Sequence, residues 1–302
     1  MKTPVDRRAT SALAGAVICW SVVPLFLKAF TPYVDAWTAN GIRYPFAALL
    51  YLPILIRFSR LNRLPLRTWR LALVPVLFNI SSQILWAWAP YYIDPGLMAF
   101  TVRLSTLWAV TGSFMLFSDE RRLLRSSRFW TGFAMALGGF LFLTLGGQDR
   151  LEGATLTGIV LIFFTSIGWA GYQVSVRRNM RDIDSRVAFG MISSITSMGL
   201  ISAMMIWGEP ERALHMPAEM GVLVLLSGII GIAAAHMLFY VAIKRVGVAI
   251  GASANLISPF LTALLSRFLY HEQLTPVQWL AGIGLVAGGI MLTLAQVHLR
   301  RR

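Results

Sequence analysis

Long uncharged runs constrain this sequence of 302 residues more than any motif does. A bilayer core of about 30 Å is spanned by a helix of roughly 20 apolar residues. Windows of that kind fall at 9–29, 36–57, 69–91, 95–117, 128–146, 155–176, 187–207, 217–242, 247–268 and 275–297, with short connectors between them. The expected fold is therefore an all-α integral membrane protein with ten transmembrane helices. Composition agrees: 13% of the residues are charged, against about 25% in a soluble domain. A soluble enzyme and a disordered chain are excluded, as is a disulfide scaffold, because Cys19 has no second cysteine to join. The first window lacks a clear small-residue cleavage site and reads as a retained helix rather than a signal peptide.

The net charge of +14 would suggest nucleic acid on a soluble chain. Its placement gives another reason. Lys2, Arg7 and Arg8 precede the first window, and Arg57, Arg60, Arg63, Arg67 and Arg70 flank the second connector. Arg121, Arg122, Arg125 and Arg128 follow window four, and Arg177, Arg178, Arg181 and Arg186 follow window six. Lys244 and Arg245 follow window eight, and Arg300, Arg301 and Arg302 end the sequence. With ten helices these groups share one side, which the positive-inside rule makes cytoplasmic, with both termini there. The expected location is a bacterial inner membrane, and a nucleic-acid partner loses its basis. Helix starts carry ordinary capping chemistry: Asp35, Asp94-Pro95, and Thr275-Pro276 with Gln278 as a capping box.

The chain also resembles itself. Asp119-Glu120 leading to GGFLFLTL (138–145) parallels His271-Glu272 leading to GGIMLTL (288–294). Two halves, 1–150 and 151–302, would carry five helices each. An odd number turns the second half upside down, which gives the inverted-repeat architecture of alternating-access transporters.

Three runs carry a family likeness: GIRYPFAALLYLPILI (41–56), GIIGIAAAHMLFYVAIKRVGVAIGASANLISPFLTALLSRFLYHEQLT (228–275) and WLAGIGLVAGGIMLTL (279–294). They resemble the drug/metabolite transporter superfamily, EamA branch, which includes amino-acid exporters of the YddG type. The resemblance implies a ten-helix permease with a central cavity that moves a small metabolite. Its motifs specify the fold and leave the substrate open.

All 13 acidic residues lie in connectors or at helix ends, so intramembrane ionisable groups are few. Arg43, Arg103 and His236 are the deep ones. A buried Arg costs about 2.5–3.5 kcal/mol even on the lenient scale. Arg43 and Arg103 each lie about eight residues, or roughly 12 Å, inside a helix. With no carboxylate at that depth, they could receive a substrate carboxylate or phosphate; alternatively they cap carbonyls or tie helices together. His236, near Phe239 and Tyr240, could titrate in a proton-coupled cycle or bond between helices. Asn79, Gln83 and Trp86 share one helix face. Trp169 and Tyr172, and then Asn255 and Ser258, are further candidates to line a site. Pro24 and Pro259 are candidate hinges. Gly284 and Gly288, like Gly247 and Gly251, permit close helix approach within a monomer.

These residues point to a secondary transporter of amino acids or related organic anions and zwitterions, with export as the expected direction. The alternative cargo is a phosphate-bearing metabolite, a nucleotide-sugar or a lipid headgroup. A membrane enzyme or receptor ranks lower: there is no HExxH, no paired intramembrane acid and no Cys–His cluster. Neither a cofactor nor a metal is expected.

Overall fold

The computed structural model describes residues 7–61, 64–146, 153–246 and 255–301, and among these the regular structure is helical throughout. The order is α1 (Arg7–Phe30), α2 (Ala36–Leu49), α3 (Leu52–Arg60), α4 (Leu66–Trp88), α5 (Pro95–Thr101), α6 (Leu104–Leu116) and α7 (Ser127–Leu145). There follow α8 (Gly153–Asn179), α9 (Ser185–Trp207), α10 (Pro210–His215), α11 (Ala218–Gly228), α12 (Ala235–Val246), α13 (Ser258–Tyr270) and α14 (Pro276–Arg301). A π-helical turn, Ile229–Ala234, joins α11 to α12.

Seven helices among the described residues are long and apolar enough to cross a membrane, or eight if α2 and α3, bent by 48°, form one span. Pro53 lies in the first turn of α3, where its missing N–H is cheapest, and the bend falls just before that turn. The 95–117 window is not one helix: it breaks at Val102–Arg103 into α5 and α6. Of the 247–268 window, only the part from Asn255 onward is described. Exposed Leu73, Leu77, Phe142, Met198, Met205 and Ile206 make the outer surface apolar. Such a surface suits lipid, because soluble monomers rarely expose large contiguous apolar patches.

Packing is interleaved along the chain. α1 lies against α12 and α13, α2 against α9 and α11, α4 and α6 against α8, α5 against α13, and α7 against α14. The α7–α14 pair is especially close. A Cβ added at Gly288 would lie 2.5 Å from the Ala136 nitrogen, and one at Gly139 would lie 2.5 Å from the Leu285 nitrogen. Gly284, the other member of that sequence motif, meets nothing within 4 Å, so only Gly288 makes the contact. Gly247 and Gly251 lie outside the described residues.

The caps hold with one correction. Asp35 accepts from the Thr38 amide at 3.0 Å and from the Glu209 amide at 3.0 Å, tying the α1–α2 connector to the one after α9. Burial opposes ionisation of this carboxylate, but these hydrogen bonds outweigh it and hold Asp35 below the usual range. The Thr275 amide donates to Gln278 Oε1 at 2.9 Å and the Gln278 amide to Thr275 Oγ1 at 3.2 Å, a reciprocal capping box. Thr275 also donates to the Gly146 carbonyl at 2.8 Å. Thr275→Val is expected to cost about 1 kcal/mol, visible as a lower unfolding temperature in detergent. Asp94 occupies the N-cap position of α5 but makes no side-chain cap bond. Its carboxylate instead pairs with Lys28 at 3.0 Å. The capping carboxylate for α5 is Glu272, from a connector far along the chain.

A candidate substrate site at two helix breaks

The two deep arginines sit in different surroundings. Arg43, 1% exposed, lies inside α2, where its Nε donates to Ser227 Oγ at 2.7 Å and Nη1 to Asn40 Oδ1 at 3.2 Å. The Ser227 bond fastens α2 to α11, the Asn40 bond steadies the guanidinium from one turn back on α2, and the Arg43 carbonyl lies so close to Gly228 that a Cβ there would collide with it. Arg43 is committed to holding helices together in this conformation.

Arg103 stands at the break between α5 and α6. The break needs no proline. Its amides turn to carbonyls three residues back: Arg103 to Phe100, Ser105 to Val102 and Thr106 to Arg103, each at 3.0 Å. These tighter turns interrupt the α-helical ladder. The second break lies at Leu256–Ile257, ahead of α13. Pro259 sits in the first turn of α13 rather than inside an intact helix, so it marks the restart after a break. The breaks meet through one bond: Arg103 Nη2 donates to Ser258 Oγ at 2.8 Å. Phe100 and Phe260 stack edge to face beside it, 5.1 Å apart.

Among the described residues, the buried polar atoms without a hydrogen-bond partner on the elements that flank these breaks include Arg103 Nε, Trp108 Nε1 and Thr111 Oγ1 of α6, and Asn255 Oδ1. Such atoms are few in native proteins and call for an explanation. Trp108 and Thr111 are three residues apart on one face of α6, and Asn255 lies one turn before Ser258. The set offers a cationic donor, a neutral donor, a hydroxyl and a carbonyl acceptor. Among the described residues, neither Arg43 nor Arg103 forms an ion pair.

The other candidates are spread over the bundle. Asn79 Nδ2 donates to Thr196 Oγ1 at 3.1 Å and to the Tyr44 hydroxyl at 3.2 Å, bonding α4 to α9 and α2. The Gln83 carbonyl accepts from Asn40 at 2.7 Å. Trp86 packs on Trp169 at 4.9 Å, joining α4 to α8. Tyr172 packs with Val76, Val187 and Met191 in a separate apolar cluster. His236 Nδ1 bonds the Ile232 carbonyl at 2.6 Å, and its ring stacks on Phe189 at 4.3 Å and meets Trp20 edge-on. Pro24 is buried inside α1. Tyr240 lies on α12, with its side chain outside the described set. Trp108 and Thr111 are candidates that the sequence does not reveal, because an indole and a hydroxyl in an apolar run look like packing until their partners are counted.

A profile of the EamA-like transporter family matches this chain twice, over residues 8–145 and 156–295. The chain belongs to the EamA-like transporter family. This EamA-like chain is accordingly a multi-pass membrane transporter and not an enzyme. It is 28% identical over 292 residues to the uncharacterized inner membrane transporter YedA of Escherichia coli K12, covering 93% of this chain and 89% of YedA. It is also 28% identical over 263 residues to the uncharacterized protein PA1977 of Pseudomonas aeruginosa, covering 87% and 85% of the two chains. A solved crystal structure superposes with a TM-score of 0.63 at 18% identity, covering 96% of this chain and 98% of the other, which concerns the fold alone.

Proposed function

We propose that this transporter exports a small carboxylate-bearing metabolite, an amino acid or a related organic anion or zwitterion, across the bacterial inner membrane by alternating access. In this reading ten spans form two inverted halves, 1–150 and 151–302, with both termini cytoplasmic and the Asp35, Asp94 and Glu272 end external. The two family matches along the chain and the helix break in each half support the repeat. The protein works as a monomer, and the halves rock about the two breaks.

One observation carries the substrate reading: Arg103 is bonded to Ser258 through Nη2 while its buried Nε has no partner among the described residues. A substrate carboxylate would supply both the missing acceptor and the missing counter-charge. Asn255 Oδ1 would take an ammonium hydrogen. The same guanidinium suits a phosphate, so the assay includes both classes. Purified protein in liposomes of Escherichia coli lipids is expected to show saturable uptake of at least one labelled amino acid, competed by unlabelled substrate. Uptake confined to sugar phosphates or nucleotide-sugars would move the assignment to the phosphate class. No saturable flux with any member of the panel would overturn the transport reading of the site.

A further inference from the structure

Glu272 is buried, 8% exposed, in the five-residue connector between α13 and α14. Its two oxygens accept from backbone amides of another part of the chain: Oε2 from Gly96 at 2.7 Å and Oε1 from Leu97 at 2.9 Å. Gly96 is shaped for this contact. A Cβ there would lie 2.7 Å from one carboxylate oxygen and 2.8 Å from the other. The amides belong to α5, the short helix that ends at Val102–Arg103. One end of α5 is thus gripped by a buried carboxylate, and the other carries the guanidinium bonded to Ser258.

We propose that Glu272 is a proton-binding site that couples the transport cycle: its ionised form holds α5 against the α13–α14 connector, and its protonated form lets α5 go. The step is a proton passed from a hydronium ion, whose O–H bond breaks to leave water, onto one carboxylate oxygen, where an O–H bond forms and one negative charge is lost. An ionised carboxylate is acceptor-only and matches two N–H donors facing it. The acid turns one oxygen into a donor, leaving an amide of Gly96 or Leu97 without its charged acceptor. Releasing α5 then moves the turn that carries Arg103.

The surroundings permit such a change. Burial pushes Glu272 above the usual carboxylate range and the nearby Asp94 charge adds to this, while the two amides pull the other way. Asp94 at the start of α5 is the charged group that acts on it, and Asp94 is itself paired with Lys28 of α1; His271 precedes it on its own connector and Arg267 lies in the last turn of α13, both exposed. α14 carries no charged side chain before His298, and α7 none after Arg128. The raised position sets the sign: lowering the pH protonates Glu272 sooner than an ordinary glutamate and loosens α5.

The role in the cycle rests on the transporter reading above, but the test needs no substrate. Hydrogen exchange of the Gly96 and Leu97 amides is followed in the full protein in nanodiscs, corrected for the intrinsic effect of pH. Protection is expected to fall about tenfold between about pH 8 and about pH 5. Glu272→Gln at high pH should exchange as the wild type does at low pH, while the amides of α7 and α14 keep their protection in both proteins. Constant protection of Gly96 and Leu97 across this range in the wild type overturns the proposal. So does wild-type protection in Glu272→Gln. If α7 and α14 lose protection in the variant, the wild-type titration alone decides. Absent flux with pH-dependent protection would count against the transport reading and not against Glu272, and flux with constant protection would do the reverse.

Discussion

Arg103→Ala is expected to abolish saturable uptake of carboxylate substrates and the thermal shift they produce, a loss of about 100-fold or more in affinity. Truncating one partner of a desolvated, hydrogen-bonded charge pair costs about 2–5 kcal/mol. The free protein should lose little stability, because the substitution removes a buried cation whose own desolvation is unfavourable. Only the single bond to Ser258 goes with it. Arg43→Ala supplies the contrast. It strips Asn40 Oδ1 and Ser227 Oγ of a buried partner, so it should lower the unfolding temperature and leave substrate selectivity unchanged. Paired thermal-shift and flux measurements on the two variants separate the roles. Wild-type affinity in Arg103→Ala would remove this residue from the site.

The second large effect lies between α7 and α14. Gly288→Ala places a methyl group 2.5 Å from the Ala136 nitrogen and 2.7 Å from the Gly132 carbonyl oxygen. Gly139→Ala does the same against the Leu285 nitrogen and the Ala281 carbonyl. These neighbours are backbone, so relief requires the helices to separate. Overpacking of this kind costs about 1–3 kcal/mol, and each variant should unfold at a visibly lower temperature in detergent. Gly284→Ala should be neutral or stabilising, because nothing lies within 4 Å and Ala is the better helix former. Equal losses at Gly284 and Gly288 would mean that the sequence motif, and not this particular contact, governs packing.

These contrasts mark what the sequence makes legible. Hydropathy located most of the helices to within a few residues, since span length follows from bilayer thickness. The capping box at Thr275 was readable because its partners are three residues apart. The cap at α5 was not: Asp94 had the right position, but Lys28 drew its carboxylate away and Glu272 supplied the bonds from across the fold. The break before α13 has a local marker in Pro259, whereas the one at Val102–Arg103 has neither glycine nor proline to announce it. The same limit applies to the arginines. At matching depth in similar helices they look alike in the sequence; their partners distinguish them, Ser227 and Asn40 for Arg43 against Ser258 for Arg103.

The interleaved packing bears on how the chain is made. A ribosome delivers α5 long before Glu272 exists, so the Gly96 and Leu97 amides enter the membrane with their final acceptor still unsynthesised. α7 likewise waits for α14. Insertion can proceed helix by helix, but these contacts are deferred until the segment with Glu272 and α14 has been made. A product stopped short of Glu272 would therefore be a set of inserted helices without their partners, a natural substrate for membrane quality-control proteases. The two parts of the gene, expressed as separate polypeptides, would each depend on meeting the other in the bilayer.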